Sequence, residues 1–122
     1  MKAVVIPEYN TITMRDVEID GPKAGEVKVK MAATGVCHSD LSVINGTIPA
    51  ALPIIIGHEG AGVIVEIGPG VRRVAAGDHV VMSFVPNCKE CFFCSRGQAY
   101  LCEKAGLLNT GKQLDGTSRV RL

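Results

Sequence analysis

Apolar and polar positions along this chain fall into short blocks, most of them with the spacing of β-strands. "KAVVI" at 2–6 reads as a short strand, and "ITMRDVEI" at 12–19 as a second, mixed one. A turn follows in "DGPKAGE", where Gly21-Pro22 and Gly25 break any regular element. In "VKVKM", Val27, Val29 and Met31 share one face and Lys28 and Lys30 the other, which predicts a half-buried strand. "AGVIVEI" at 61–67 is a continuous apolar run, the pattern of a strand covered on both faces, and "DHVVMSF" at 78–84 predicts another. The one helical piece is "HSDLSVI" at 38–44, about two turns long. With 14 glycines and 6 prolines cutting the chain at short intervals, the pattern predicts a mainly β domain rich in turns.

The chain has 122 residues, the size of one compact domain, and 47% of them are hydrophobic, enough for a real core. A formal net charge of +1, few aromatics and no Trp argue against binding nucleic acid or an acidic membrane surface. The opening "MKAVVIPEYN" lacks the apolar run of a secretory signal, and no segment approaches the ~20 apolar residues of a membrane span. The expectation is a soluble, cytoplasmic protein. Five cysteines in such a reducing setting point to metal binding before disulfides.

Four of the five form Cys88-x2-Cys91-x2-Cys94-x7-Cys102. Two-residue gaps let consecutive sulfurs converge on one ion from a tight turn, and the longer gap lets the chain wrap round with the fourth. Four thiolates fill a tetrahedral zinc completely, so the site is closed and structural. An iron–sulfur run of the ferredoxin type places its fourth cysteine after three residues and follows it with proline; here the gap is seven and Glu103 follows. Unliganded or disulfide-bonded cysteines are the remaining alternative.

Cys37, in "TGVCHSD", reads on its own as a buried thiol. "GHEGAGVIVEIGPGV" carries His58 and Glu59 but lacks the second histidine of the zinc-protease helix, because Gly62 stands four residues after His58. Nor is "GAGVIV" a dinucleotide fingerprint, since Val65 occupies the place of the third glycine. Taken together, "TGVCHSD", "GHEGAGVIVEIGPGV", "GDHVV" and the four-cysteine loop occur in the order and spacing of zinc-containing medium-chain alcohol dehydrogenases. The resemblance runs over essentially all 122 residues.

That resemblance implies the family's N-terminal catalytic domain, a GroES-like, partly open β-barrel with a short helix and a zinc-binding loop. It also implies a parent enzyme that oxidises alcohols, or reduces aldehydes or ketones, with NAD or NADP. Cys37 and His58 match two ligands of a catalytic zinc, whose open position acidifies the substrate hydroxyl. Ser39 matches the hydroxyl that accepts the alcohol's proton. Asp40 matches the carboxylate that orients the zinc-bound histidine, its plainer reading being a favourable charge at a helix start. Glu59 matches a carboxylate beside the zinc and a potential alternate ligand. His38 matches a residue touching the cofactor pyrophosphate, and Ile48 and Phe84 match substrate-pocket positions, with core packing as the alternative for both.

Two departures from the family pattern stand out. Ser42 occupies the place where some members carry a histidine that passes the proton to solvent. The chain also stops at Leu122, before the third catalytic ligand and the Rossmann cofactor domain of the family. Residues 1–122 therefore read as an apparently truncated N-terminal part of the catalytic domain, without turnover of its own. It would hold one tight zinc, leave the Cys37 and His58 site incomplete, and self-associate through uncovered edges. The rival reading is a stand-alone zinc-stabilised GroES-like module used for binding or assembly.

Overall fold

The computed structural model describes all residues from Met1 to Leu122. The strands are short because the turn residues recur every few positions. They are β1 (Lys2–Ile6), β2 (Thr13–Asp16), β3 (Glu18–Ile19), β4 (Val27–Thr34), β5 (Ile54–Ile55), β6 (Gly60–Ile67), β7 (His79–Val81) and β8 (Val120–Arg121). A single α-helix, α1 (His38–Ile44), follows β4, and three 3-10 turns cover Cys94–Arg96, Ala99–Leu101 and Glu103–Leu107. The strands form three small antiparallel sheets in the orders β2-β1-β5, β3-β8 and β4-β6-β7. The predicted mainly β architecture with one short helix is what the chain adopts.

Four expectations need correction. The 12–19 stretch is two strands, because Val17 turns inward to the core (4% exposed) and breaks the ladder between β2 and β3. β4 runs on to Thr34, and its pairing with β6 shifts register at Lys28/Val29 and at Met31/Ala33. Those shifts undo the two-faced alternation, and Met31 ends up exposed. β6 is covered only at its first half: Gly60, Gly62 and Ile64 are buried, whereas Val65 and Ile67 are exposed. The apolar run was therefore a poor guide to burial on both faces. In the 78–84 segment, only His79–Val81 pairs, as an edge strand beside β6.

Only 14 residues are buried, and the apolar packing divides into two small clusters. Ala3, Val5 and Val17 form one; Ile6, Val43 and Ile54 form the other and seat α1 against β1 and β5. The outer end of the fold is held by charge. Arg119, 7% exposed, makes a forked contact with Glu26 (Nε to Oε2 2.9 Å, Nη2 to Oε1 2.6 Å) and a third with Asp115 Oδ2 at 2.7 Å. This ties the segment leading into β8 to the turn before β4. The Arg119 guanidinium holds the Glu26 carboxyl below its ordinary value of 4.5.

Because Ile6 is fully buried, Ile6→Ala is expected to cost about 2–5 kcal/mol in urea unfolding. Truncating the exposed Val65 in β6 should change stability by less than about 0.5 kcal/mol, and a comparable loss there would contradict this account of the core. For Glu26 the sign is that of a depressed carboxyl: its contribution is full above the unfolded value near 4.5 and is lost as pH falls below it. The unfolding midpoint of the wild type should therefore exceed that of Glu26→Gln at pH 7, with the gap closing toward pH 3.

Candidate metal centres

Two groups of metal-ligating side chains come together in the fold. Cys88, Cys91, Cys94 and Cys102 have all four Sγ atoms within 4.8 Å of one another. Tetrahedral zinc with Zn–S bonds of about 2.3 Å needs sulfurs about 3.8 Å apart, so the donor set fits such an ion with small adjustments. The convergence follows from local backbone geometry. Lys89 has a positive φ of 66°, which turns the chain sharply after Cys88. The N–H groups of Cys91 and Cys94 point back at Cys88 Sγ (3.3 Å) and Cys91 Sγ (3.4 Å). Gly97, at φ 75°, ends the first 3-10 turn, and the second delivers the buried Cys102 to the cluster.

The thiols respond unequally to this crowding. Backbone N–H donors from Cys94 and Glu103 bring Cys91 down to about 6. Burial pushes Cys94 up to about 12, with its neighbouring thiols adding to the rise. Burial opposes ionisation of Cys102 too, but the hydrogen bonds it receives outweigh it and its value is lowered. Four sulfurs this close share too little positive charge to ionise together, a need that a divalent cation meets.

The second group is Cys37, His58 and Glu59, whose ligand atoms also lie within 4.8 Å of one another. Cys37 is the extended residue before α1 (φ −109°, ψ 156°), and its N–H donates to Asp40 Oδ2 at 2.9 Å. The other Asp40 oxygen, Oδ1, lies 3.2 Å from His58 Nδ1. Asp40 is buried and thus joins the helix start to the segment ahead of β6. With Nδ1 engaged, His58 turns Nε2 toward Ser39 Oγ (3.4 Å) and Glu59 Oε1 (3.9 Å). Gly57, at φ 117°, makes the backbone turn that presents His58, a conformation that a side chain would strain.

Hydrogen bonds from the Ser39 side chain and backbone, and then from His58, lower the Cys37 thiol. Burial acts to lower His58, but contacts with Cys37 and Asp40 prevail and raise it. Both shifts act toward the charged forms, the thiol losing and the imidazole keeping its proton more readily than a free group would.

This cluster opens on a cleft of about 600 Å³ lined by Cys37, Ser39, His58 and Glu59 on one side and by Ala61, Val81, Met82 and Phe84 among others. The Phe84 ring meets His58 edge-on with centroids 5.4 Å apart. Ile48, grouped with Phe84 from the sequence, lies elsewhere: it packs against the Ile6, Val43 and Ile54 cluster and is not among the lining residues. His38 is exposed on the first turn of α1. Ser42 is buried and gives its hydroxyl to His38 O at 3.3 Å. One contributor, Gly35, escaped the sequence reading because it carries no chemistry. Its N–H donates to Glu59 O at 2.8 Å, and its bare Cα lies against the Glu59 side chain.

Known proteins share both sequence and fold with this chain. Residues 23–119 match the family model described as "Alcohol dehydrogenase GroES-like domain". An NDMA-dependent alcohol dehydrogenase from Amycolatopsis methanolica is 47% identical over 106 residues, covering 87% of this chain and 29% of that protein. Among solved structures, an alcohol dehydrogenase zinc-binding domain protein from Burkholderia ambifaria superposes with a TM-score of 0.90 at 38% identity, over 98% of this chain and 33% of the other. Benzyl alcohol dehydrogenase from Acinetobacter calcoaceticus does so with a TM-score of 0.90 at 36% identity, with the same shares covered. The chain thus spans about a third of the length of the relatives it matches. No helix is long and apolar enough to cross a membrane.

Cys94→Ser should reduce the zinc bound by the four-cysteine loop and expose residues 88–102 to proteolysis, as read by metal analysis and limited digestion. Wild-type zinc content with an unchanged digestion pattern would show that the four sulfurs do not act as one site.

Proposed function

The chain belongs to the alcohol dehydrogenase GroES-like domain family, and from that premise we propose that it forms the N-terminal, metal-binding part of the catalytic domain of a zinc-dependent alcohol dehydrogenase. The reaction proposed for the whole enzyme is NAD- or NADP-linked interconversion of an alcohol with its aldehyde or ketone. One observation carries this reading: buried Asp40 holds both the Cys37 backbone and the His58 ring, so that a thiol, an imidazole nitrogen and the Glu59 carboxylate converge at the mouth of a half-apolar cleft. A module used only for binding or assembly needs no such convergence.

Zinc bound there would supply Lewis acidity toward a substrate hydroxyl. The residues of the chain have separate tasks. Cys37, His58 and Glu59 would be the donors that this chain itself offers, one more than Cys37 and His58 alone would give. Asp40 fixes the His58 ring through Nδ1, leaving Nε2 as the donor atom. Ser39 Oγ, at the cleft and 3.4 Å from His58 Nε2, is the acceptor for the proton that an alcohol loses. Ser42, at the position of the onward histidine of some family members, gives its hydroxyl to the backbone of its own helix. Phe84, Met82, Val81 and Ala61 give the cleft an apolar wall, which favours an alcohol with a hydrocarbon body over a polyol.

The four-cysteine loop fits a second, closed zinc with a structural role. For the nicotinamide cofactor the chain offers only His38, by resemblance, exposed on the first turn of α1.

At saturating free zinc the chain is expected to bind two ions, the tighter in the four-cysteine loop. Asp40→Asn should weaken the second ion by about 10–100-fold and leave the first unchanged. Equal loss at both sites would mean that Asp40 acts on folding alone. The isolated chain should give no alcohol-dependent NADH or NADPH, since without a cofactor held against the site the ~7–11 kcal/mol that positioning contributes is missing. Sustained turnover by these 122 residues would overturn the proposal.

A further inference from the structure

Glu59 is the least constrained member of the Cys37 cluster. Its side chain is 48% exposed, and no hydrogen bond holds its carboxylate in place beyond the 3.9 Å approach to His58 Nε2. A free glutamate at such a position would extend into water, where its charge is best solvated and its rotamers are unrestricted. What confines it is the neighbouring backbone. The Gly35 N–H donates to Glu59 O at 2.8 Å, which locks the end of β4 against the start of β6. In that arrangement the Glu59 side chain folds across the Cα of Gly35. A Cβ built there would overlap Glu59 Oε2 and crowd its Cβ and Cδ, at 3.1 and 3.2 Å.

The usual reason for a glycine does not apply. Gly35 is not among the residues with positive φ, so its backbone conformation is open to alanine. The need for a bare Cα arises from the Glu59 side chain, chiefly its carboxylate oxygen, with its Cβ a tight neighbour at 3.1 Å. The overlapping atom is also the far end of a flexible, half-exposed side chain, which a methyl group would turn outward, while the Glu59 Cβ contact would need only a small shift.

We propose that Gly35 is a positioning residue for Glu59: its missing side chain is the space that keeps the carboxylate beside Cys37 and His58, and it decides whether the site offers three protein ligands or two. The inference rests on the reading of Cys37, His58 and Glu59 as metal donors. It adds that the third donor is controlled from a residue that never touches the metal.

The test compares wild type, Gly35→Ala, Glu59→Gln and the double variant, each with one equivalent of zinc in the four-cysteine loop. Cobalt(II) is then titrated into the second site and followed by its thiolate charge-transfer and d–d bands. Gly35→Ala should weaken cobalt about 10–100-fold and shift the d–d bands to the pattern of Glu59→Gln. The double variant should be no weaker than either single one, because both remove the same ligand. Thermal unfolding of Gly35→Ala should stay close to that of wild type, the 3.1 Å contact with Glu59 Cβ relaxing by a small shift. Independently of any cobalt, three-bond couplings about the Glu59 χ1 bond should report a changed rotamer in Gly35→Ala. A wild type that takes up no cobalt would defeat the metal reading. Wild-type cobalt affinity in Gly35→Ala, additive losses in the double variant, or an unmoved Glu59 rotamer would each overturn the role of Gly35 itself.

Discussion

A buried carboxylate with two obligations organises the cleft side of this fold. Asp40 is 7% exposed, and a charge so placed is tolerated only when its oxygens are engaged. One oxygen accepts the Cys37 N–H and begins α1; the other faces His58 Nδ1, eighteen residues further along the chain. Helix start, thiol position and imidazole orientation are therefore a single geometric fact. The cost of burying the charge is offset only in the folded arrangement that also assembles the site. Val43, one turn further along α1, seats the same helix on Ile6 and Ile54, so apolar packing and the polar bridge support each other.

The four-cysteine loop obeys a different logic. Between residues 88 and 102 only Cys102 is buried, and the backbone proceeds through turns instead of pairing with a sheet. An apolar core therefore contributes little there, and cohesion depends on what the sulfurs share. The split between Cys91, near 6, and Cys94, near 12, expresses the same point: without a cation the cluster ionises one thiol at the expense of its neighbour. The exposed Phe92 ring, with the Arg96 guanidinium 3.6 Å from its centroid, gives the loop a second tether on its solvent side.

How much of this could be read from the residues depended on whether the decisive interaction was local. β1 and α1 have the predicted bounds because strand alternation and a short helical block are properties of contiguous residues. The two-residue strands β5 and β8 carry no such signal; they exist because β1 and β3 lie beside them. Burial along β4 and β6 was misread for a related reason. Apolar composition states what a strand tolerates, whereas the bulges and the lack of cover over Val65 and Ile67 belong to the assembled sheet. The four-cysteine spacing was legible as chemistry. Cys37, His58 and Asp40 became a site only through resemblance to a family, since nothing near any of them names the other two. Ile48, assigned by the same resemblance, lies with the core.

Gly35 marks the furthest reach of this difference. Its φ is not positive, and the constraint on it comes from a side chain twenty-four residues away. Each metal centre thus has its own form of control. In the loop, four closely spaced sulfurs would fill a tetrahedral ion and leave no position for exchange. At the cleft, two candidate donors are anchored by Asp40, and the third stands on a half-exposed side chain admitted by the bare Cα of Gly35. A closed site suits a structural ion. Under the proposed reading, a carboxylate admitted by space instead of fixed by hydrogen bonds would suit an exchangeable ligand, and the glycine would reconcile that looseness with a defined position.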